Sequence, residues 1–187
     1  MSTREIADCQ TTELALAAGR GDRDALAEFV RATQHDLWRF LAHLSGADAA
    51  EDLAQETYLR AITSLPRFAG QSSARTWLLA IARRVSIDHT RREMARPRIA
   101  ARADWAAAAD RAAARRSCGH EDIVELGLLL DGLCPEQREA LVLTQVIGMS
   151  YAQAADVMGC QVGTIRSRVA RAREELIEAR SAAADAG

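Results

Sequence analysis

The chain has 187 residues, 49% apolar and 4% aromatic, enough for one ordinary domain or two small ones and too apolar for disorder throughout. A formal net charge of -2 excludes a generally basic coat, although all 24 basic residues are Arg. No stretch reaches the roughly 18 apolar residues of a membrane span, and no signal-type apolar run opens the chain, so it reads as a soluble protein of the cytoplasm.

Ala, Leu and Arg dominate, and no alternating Val, Ile and Thr run reads as a strand, so the fold class is all-α. Residues 1–11 are polar and read as a flexible N-terminus. A short helix is expected from Thr12 to about Ala18, broken by Gly19–Asp24. Asp22 suits the N-cap of the next helix, whose inner face is Leu26, Phe29, Val30, Leu37, Phe40, Leu41 and Leu44. Ser45–Gly46 ends it, and Asp48 is the expected cap of its successor. There Ala50, Leu53, Ala54, Thr57, Tyr58, Ala61, Ile62 and Leu65 form a core stripe. Asp52, Gln55, Glu56, Leu59, Arg60 and Thr63 form the opposite face. Pro66 stops this helix, and residues 66–72 form a loop. Ser73 caps a further helix with Trp77, Leu78, Ile81, Ala82 and Val85 inward and Arg75, Arg83, Arg84, Arg91 and Arg92 on its other side and end.

The segment 94–120 is rich in Ala and Arg with little large apolar content and reads as a flexible linker. A second small helical domain starts near Glu121. Ile123, Leu126, Leu130 and Leu133 mark one helix, and Pro135 opens another that runs to about Val146. Ser150 and Gln153 have capping-box spacing, Gly159 suits a left-handed turn, and a third helix begins near Val162. Two helices joined by a tight Gly turn are the helix-turn-helix pattern of DNA-binding proteins. Ile165, Val169, Ala172 and Leu176 should point inward. Gly163, Thr164, Ser167, Ala170 and Arg171 should face away, with Arg166 beside them and Arg168 and Arg173 near the edges. Small residues at the tip let such a helix sit deep in a major groove. Thr164, Arg166, Ser167 and Arg171 are therefore assigned to base edges or nearby phosphates, and Arg168 and Arg173 mainly to phosphates.

Charge is segregated along the chain. Residues 1–60 carry 11 acids against 6 Arg, and residues 83–116 carry 10 Arg against 4 acids. Residues 119–160 carry 7 acids against 1 Arg, and residues 161–173 carry 4 Arg and no acid. A GC-rich genome is the plainest reason for Arg over Lys, but two local basic strips also suit local nucleic-acid contact. The cysteines at 9, 118, 134 and 160 have no C-x-x-C spacing, and Cys118 with His120 falls short of four zinc ligands. Glu51, Asp52 and Glu56 have no His at E-x-x-H spacing. Neither a metal, a cofactor nor an enzymatic site is expected.

Three segments together carry a resemblance. Asp52-Leu-Ala-Gln55-Glu56-Thr-Tyr-Leu-Arg60-Ala, Ala74-Arg-Thr-Trp77-Leu-Leu-Ala-Ile-Ala-Arg83 and Gly163-Thr-Ile-Arg166-Ser-Arg168-Val-Ala-Arg171-Ala-Arg173 resemble, in order, the extracytoplasmic-function (ECF) members of the sigma-70 family. The look is nearest to the sigma-C type of actinobacteria. The resemblance implies a sigma region 2 over 12–93, a linker over 94–120, a region 4 over 121–180 and a flexible tail over 181–187. It also implies a dissociable subunit that binds core RNA polymerase, recognises -35 and -10 elements and opens the duplex.

On that resemblance, Asp52, Gln55, Glu56, Leu59 and Arg60 would dock on the clamp coiled coil of core polymerase. The flap would be a further polymerase contact. Arg67, Phe68, Gln71 and Ser72 would form a pocket for a base turned out of the stack, and Arg75, Arg83, Arg84, Arg91 and Arg92 would lie along -10 DNA. Trp77 reads as core before base platform. The linker would thread the polymerase channel or serve as a solvated tether. An anti-sigma partner is common in the family, and the free monomer could pack its two domains together with their DNA surfaces hidden. A stand-alone helix-turn-helix regulator is the competing class, but it would leave the 48–65 motif idle, and no dimerisation helix follows Arg180.

Overall fold

A computed structural model describes residues 3–95, Leu130 and residues 132–185 of the chain, and every regular element in them is helical. Helix α1 spans Thr3–Gly19, α2 Arg23–Ser45, α3 Ala47–Ser64 and α4 Ala74–Ala95. In the second half, α5 spans Pro135–Leu141 and continues into a π turn over Val142–Val146. Helix α6 spans Tyr151–Met158 and α7 Val162–Asp185. The linker and the start of the second domain, including Trp105, Cys118, Ile123 and Leu126, lie outside the described residues.

The local signals act largely as their chemistry demands. Asp22 Oδ1 accepts the backbone N–H groups of Asp24 and Ala25, each at 3.0 Å, and so satisfies two orphan donors of α2. The amphipathic face of α2 buries Phe29, Leu37, Phe40 and Leu41, each contributing about 1.5–3 kcal/mol by area. Ser73 receives the Thr76 N–H at 3.2 Å at the start of α4, as its position predicts. Gly19 lets α1 end against the chain after α3. A Cβ there would fall 2.6 Å from the Leu65 carbonyl oxygen.

Four expectations are corrected. Helix α1 begins at Thr3, not Thr12, because Asp8 finds tertiary partners and Thr11 and Thr12 bond back to Ala7 and Asp8 at 2.7 Å. Helix α3 begins at Ala47 behind Gly46, so Asp48 lies in the first turn and helps through the helix dipole instead of as a cap. Ile62 is 41% exposed, because the stripe of α3 is only wide enough to bury Ala50, Leu53, Thr57 and Ala61. The final helix runs to Asp185, beyond the expected start of a tail at residue 181.

The two halves share one continuous apolar cluster. Helix α4 packs on α6, and α2 packs on α5 and its π turn. Polar bonds pin the contact. Arg75 Nη2 donates to the Ile147 carbonyl at 2.7 Å, Arg83 pairs with Glu139 at 2.5 Å, and Gln153 Nε2 donates to Asp8 Oδ2 at 2.8 Å.

Candidate nucleic-acid interface

The helix-turn-helix stands on α6 and α7. Ser150 and Gln153 form the expected reciprocal box. The Gln153 N–H donates to Ser150 Oγ at 3.2 Å, and the Ser150 N–H donates to Gln153 Oε1 at 2.9 Å. Gly159 has φ +63°, the left-handed conformation that an L side chain resists. The turn closes with the Cys160 N–H on the Ala155 carbonyl at 3.1 Å.

Ile165, Val169 and Ala172 are buried beneath α7, and Leu176 is half-buried. The opposite face is open. Gly163, Arg166, Ser167, Ala170, Arg171 and Arg173 are exposed, and Thr164 and Arg168 are half-buried. A Cβ on Gly163 would meet nothing within 4 Å, so the tip of the helix is clear on that side. Arg168 reaches to 3.9 Å from Cys160 Sγ, and Arg173 donates to Gln145 Oε1 at 2.8 Å. Among the described residues none of the four Arg side chains on this face forms an ion pair. The result is an exposed helix tip of small residues ringed by guanidinium groups that no carboxylate pairs among the described residues. Such a surface can fork onto phosphates and guanine edges.

The basic residues of the first half fare differently. Arg75 is only 13% exposed, and its Nε donates to Asp36 Oδ2 at 2.7 Å while Asp8 lies 3.9 Å away. With Nη2 on Ile147, its guanidinium is held through Nε and Nη2 inside the contact between the halves. Arg83 is turned to Glu139, whose carboxyl is pushed up by burial, an effect the Arg83 cation opposes. Neither side chain stands on an open face. Arg84, Arg91 and Arg92 do, although Arg92 lies 3.8 Å from Glu56.

In the loop before α4, Arg67 and Gln71 are exposed and Ser72 is half-buried. Phe68 packs on Trp77 with ring centroids 4.8 Å apart, tilted by 36°. Both rings are half-buried against the core, so Trp77 carries packing as its place on the stripe predicts.

On the polar face of α3, Asp52, Gln55 and Leu59 are exposed and Glu56 and Arg60 half-buried, and the face separates two grooves. Glu56, Leu59, Arg60, Ile81 and Arg84 line one, between α3 and α4, with Leu59 68% exposed. Arg60 bridges Glu56 at 2.5 Å and Asp88 at 3.2 Å, which stiffens its wall. Gln34, His35, Trp38, Glu51, Gln55 and Tyr58 line the other, between α2 and α3. Its α2 wall was not singled out in the sequence, because Gln34 and His35 sit on a helix without any distinguishing local motif. Among the described residues no group of three His, Cys, Asp or Glu side chains converges as a metal site.

Comparison with known proteins matches residues 29–96 to sigma-70 region 2 and residues 123–176 to sigma-70 region 4. The chain is 54% identical over 172 residues to the ECF RNA polymerase sigma factor SigC of Mycobacterium tuberculosis, covering 91% of each chain. It is 39% identical over 154 residues to the ECF sigma factor EcfG of Rhodopseudomonas palustris, covering 82% of this chain and 83% of that one. Among solved structures, CnrH in complex with the cytosolic domain of CnrY superposes with a TM-score of 0.71 at 25% identity, over 92% of this chain and 98% of CnrH. The sigma factor RpoE of Bartonella quintana, bound to the anti-sigma factor NepR, gives 0.63 at 27% identity, over 82% and 94%.

Proposed function

The chain belongs to the extracytoplasmic-function RNA polymerase sigma factors of the sigma-70 family, and from that premise we propose which of its surfaces carries each step of initiation. As a sigma factor it is a transcription initiation factor and not an enzyme, with core RNA polymerase and promoter DNA as partners.

The exposed face of α7 reads the -35 element. Thr164, Arg166, Ser167 and Arg171 meet base edges or nearby phosphates around the open Gly163, and Arg168 and Arg173 hold flanking phosphates. The absence of any ion pair on this face, among the described residues, carries the reading. Guanidinium groups already paired would have to exchange one carboxylate for another anion, with little gain.

Asp52, Gln55, Glu56, Leu59 and Arg60, with the two grooves beside them, dock on the polymerase clamp. Exposed Leu59 supplies apolar area and the acids supply the complement to a basic partner. Arg67, Phe68, Gln71 and Ser72 receive an unstacked -10 base. Arg84, Arg91 and Arg92 hold the adjacent backbone. Arg75 and Arg83 can join them only after the two halves part, because both are engaged across the contact. The packed form therefore holds back the -10 half while leaving the -35 helix exposed. An anti-sigma factor is a further partner, proposed from the likeness to RpoE in its complex with NepR. The place of action is the cytoplasm, where core polymerase works; no helix among the described residues is long and apolar enough to cross a membrane.

Co-purification with core polymerase, followed by transcription from a promoter library, tests the assignment. Stable core binding and transcription restricted to promoters with paired -35 and -10 elements are expected. Nanomolar binding to promoter DNA without any binding to core polymerase would overturn it.

A further inference from the structure

His43 stands in the last turn of α2, a helix that packs against α5 and its π turn. It is 5% exposed, and neither ring nitrogen has a hydrogen-bond partner among the described residues. A buried imidazole in water-free surroundings normally binds through at least one nitrogen. Here two cations add to the anomaly. Arg39 lies one turn back on the same helix, and the charge of Arg138 on α5, whose Nε donates to the Leu130 carbonyl at 2.9 Å, acts on the ring from the other half.

The acids nearby are committed. Asp36, two turns back on α2, is paired with Arg75, and Glu139 on α5 is paired with Arg83. Asp48 at the start of α3, and Asp88 and His89 on α4, also stand on helices packed against α2, with Asp88 paired to Arg60. The seat thus accommodates a neutral ring, and among the described residues no acceptor meets either ring nitrogen.

We propose that His43 is a proton-operated release for the contact between the two halves of this sigma factor. Neutral, it fills the seam under α5. Protonated, it sets a third positive charge beside Arg39 and Arg138 in an unsolvated place, and separating the halves returns it to water. The inference rests on the reading that the packed form holds back the -10 half.

Burial first, and then Arg39 and Arg138, hold the ring below its ordinary value of 6.5. The sign follows from linkage. The open form takes up a proton as pH falls through 6.5, and the packed form does so only below its lowered value. Between those limits the open-to-packed ratio rises up to about tenfold per pH unit. Glu139 works in the opposite sense, since burial raises its carboxyl and the packed form protonates first there. Its contribution cancels when wild type is compared with a His43 variant.

The experiment uses the full chain, with donor and acceptor dyes on α3 and α7 and far-UV circular dichroism as the check on folding. Energy transfer is followed from pH 7.5 to 5.5 for wild type, His43→Leu and His43→Gln. Wild type should lose transfer as its open-to-packed ratio rises by up to about tenfold between pH 6.5 and 5.5, with helicity unchanged, and neither variant should show such a fall. Two neutral variants guard against one simply failing to pack. If wild type holds high transfer to pH 5.5, or if the variants open with the same pH profile, the proposal falls. Low transfer for wild type already at pH 7.5 would overturn the packed-form reading itself.

Discussion

Helices α4 and α7 are both long and both rich in Arg, yet their guanidinium groups end in opposite conditions. On α7, Arg166, Arg171 and Arg173 are exposed, and no carboxylate pairs with them among the described residues. On α4, Arg75 and Arg83 are turned inward and bonded to Asp36, Ile147 and Glu139. Residue type sets what a side chain can bind. Whether it is available is set by which acids and carbonyls the fold brings within reach. The same chemistry is therefore left open to an outside anion in one helix and spent as a clasp in the other.

The largest expected effect tests the reader. Arg171→Ala should cost about 1–3 kcal/mol at particular -35 bases and relax preference there. Selection of bound promoters from a randomised library, with core polymerase present, measures it. Ser167→Ala should also alter base preference, by less. An unchanged preference in both variants would mean that this face of α7 does not read bases.

Breaking the clasp comes next. Glu139→Ala leaves the three-quarters-buried Arg83 without its partner and should weaken the contact between halves by about 1–3 kcal/mol. Small-angle scattering of the free protein should show a larger radius. An unaltered profile would mean that apolar packing alone holds the halves together.

Removing the support of the reader should cost less. Ser150→Ala deletes the side-chain half of the α6 cap and should lower stability by about 1 kcal/mol in thermal unfolding. Unfolding at the wild-type temperature would show the box to be redundant. The smallest change distinguishes position from specificity. Arg168→Ala should weaken binding evenly across -35 sequences and reduce the salt slope by about one ion. A sequence-dependent loss would place Arg168 on a base instead.

Much of the helix-turn-helix was legible because its determinants are local. Ser150 and Gln153 lie three residues apart, Gly159 needs only its own φ, and Ile165, Val169 and Ala172 recur at helical spacing. The polar face of α3 was legible as a pattern, but the second wall of its groove was not, since Trp38 and His35 join Gln55 there only through helix packing. The early start of α1 was missed for a related reason. Asp8 is held by Gln153, 145 residues away, and no window of sequence contains both.

The sequence by itself determined the helical class, most of the caps, turns and inward stripes, and the motifs that identify the family, because each depends on spacing within a few residues. Only the tertiary structure decided that Arg75 and Arg83 would be occupied, that Glu139 would be buried beside Arg83, and that His43 would be buried with neither ring nitrogen bonded among the described residues. Those outcomes depend on the docking of two halves joined by a linker. Hydrogen bonds and ion pairs act over a few ångströms of space, and distance along the chain does not encode them.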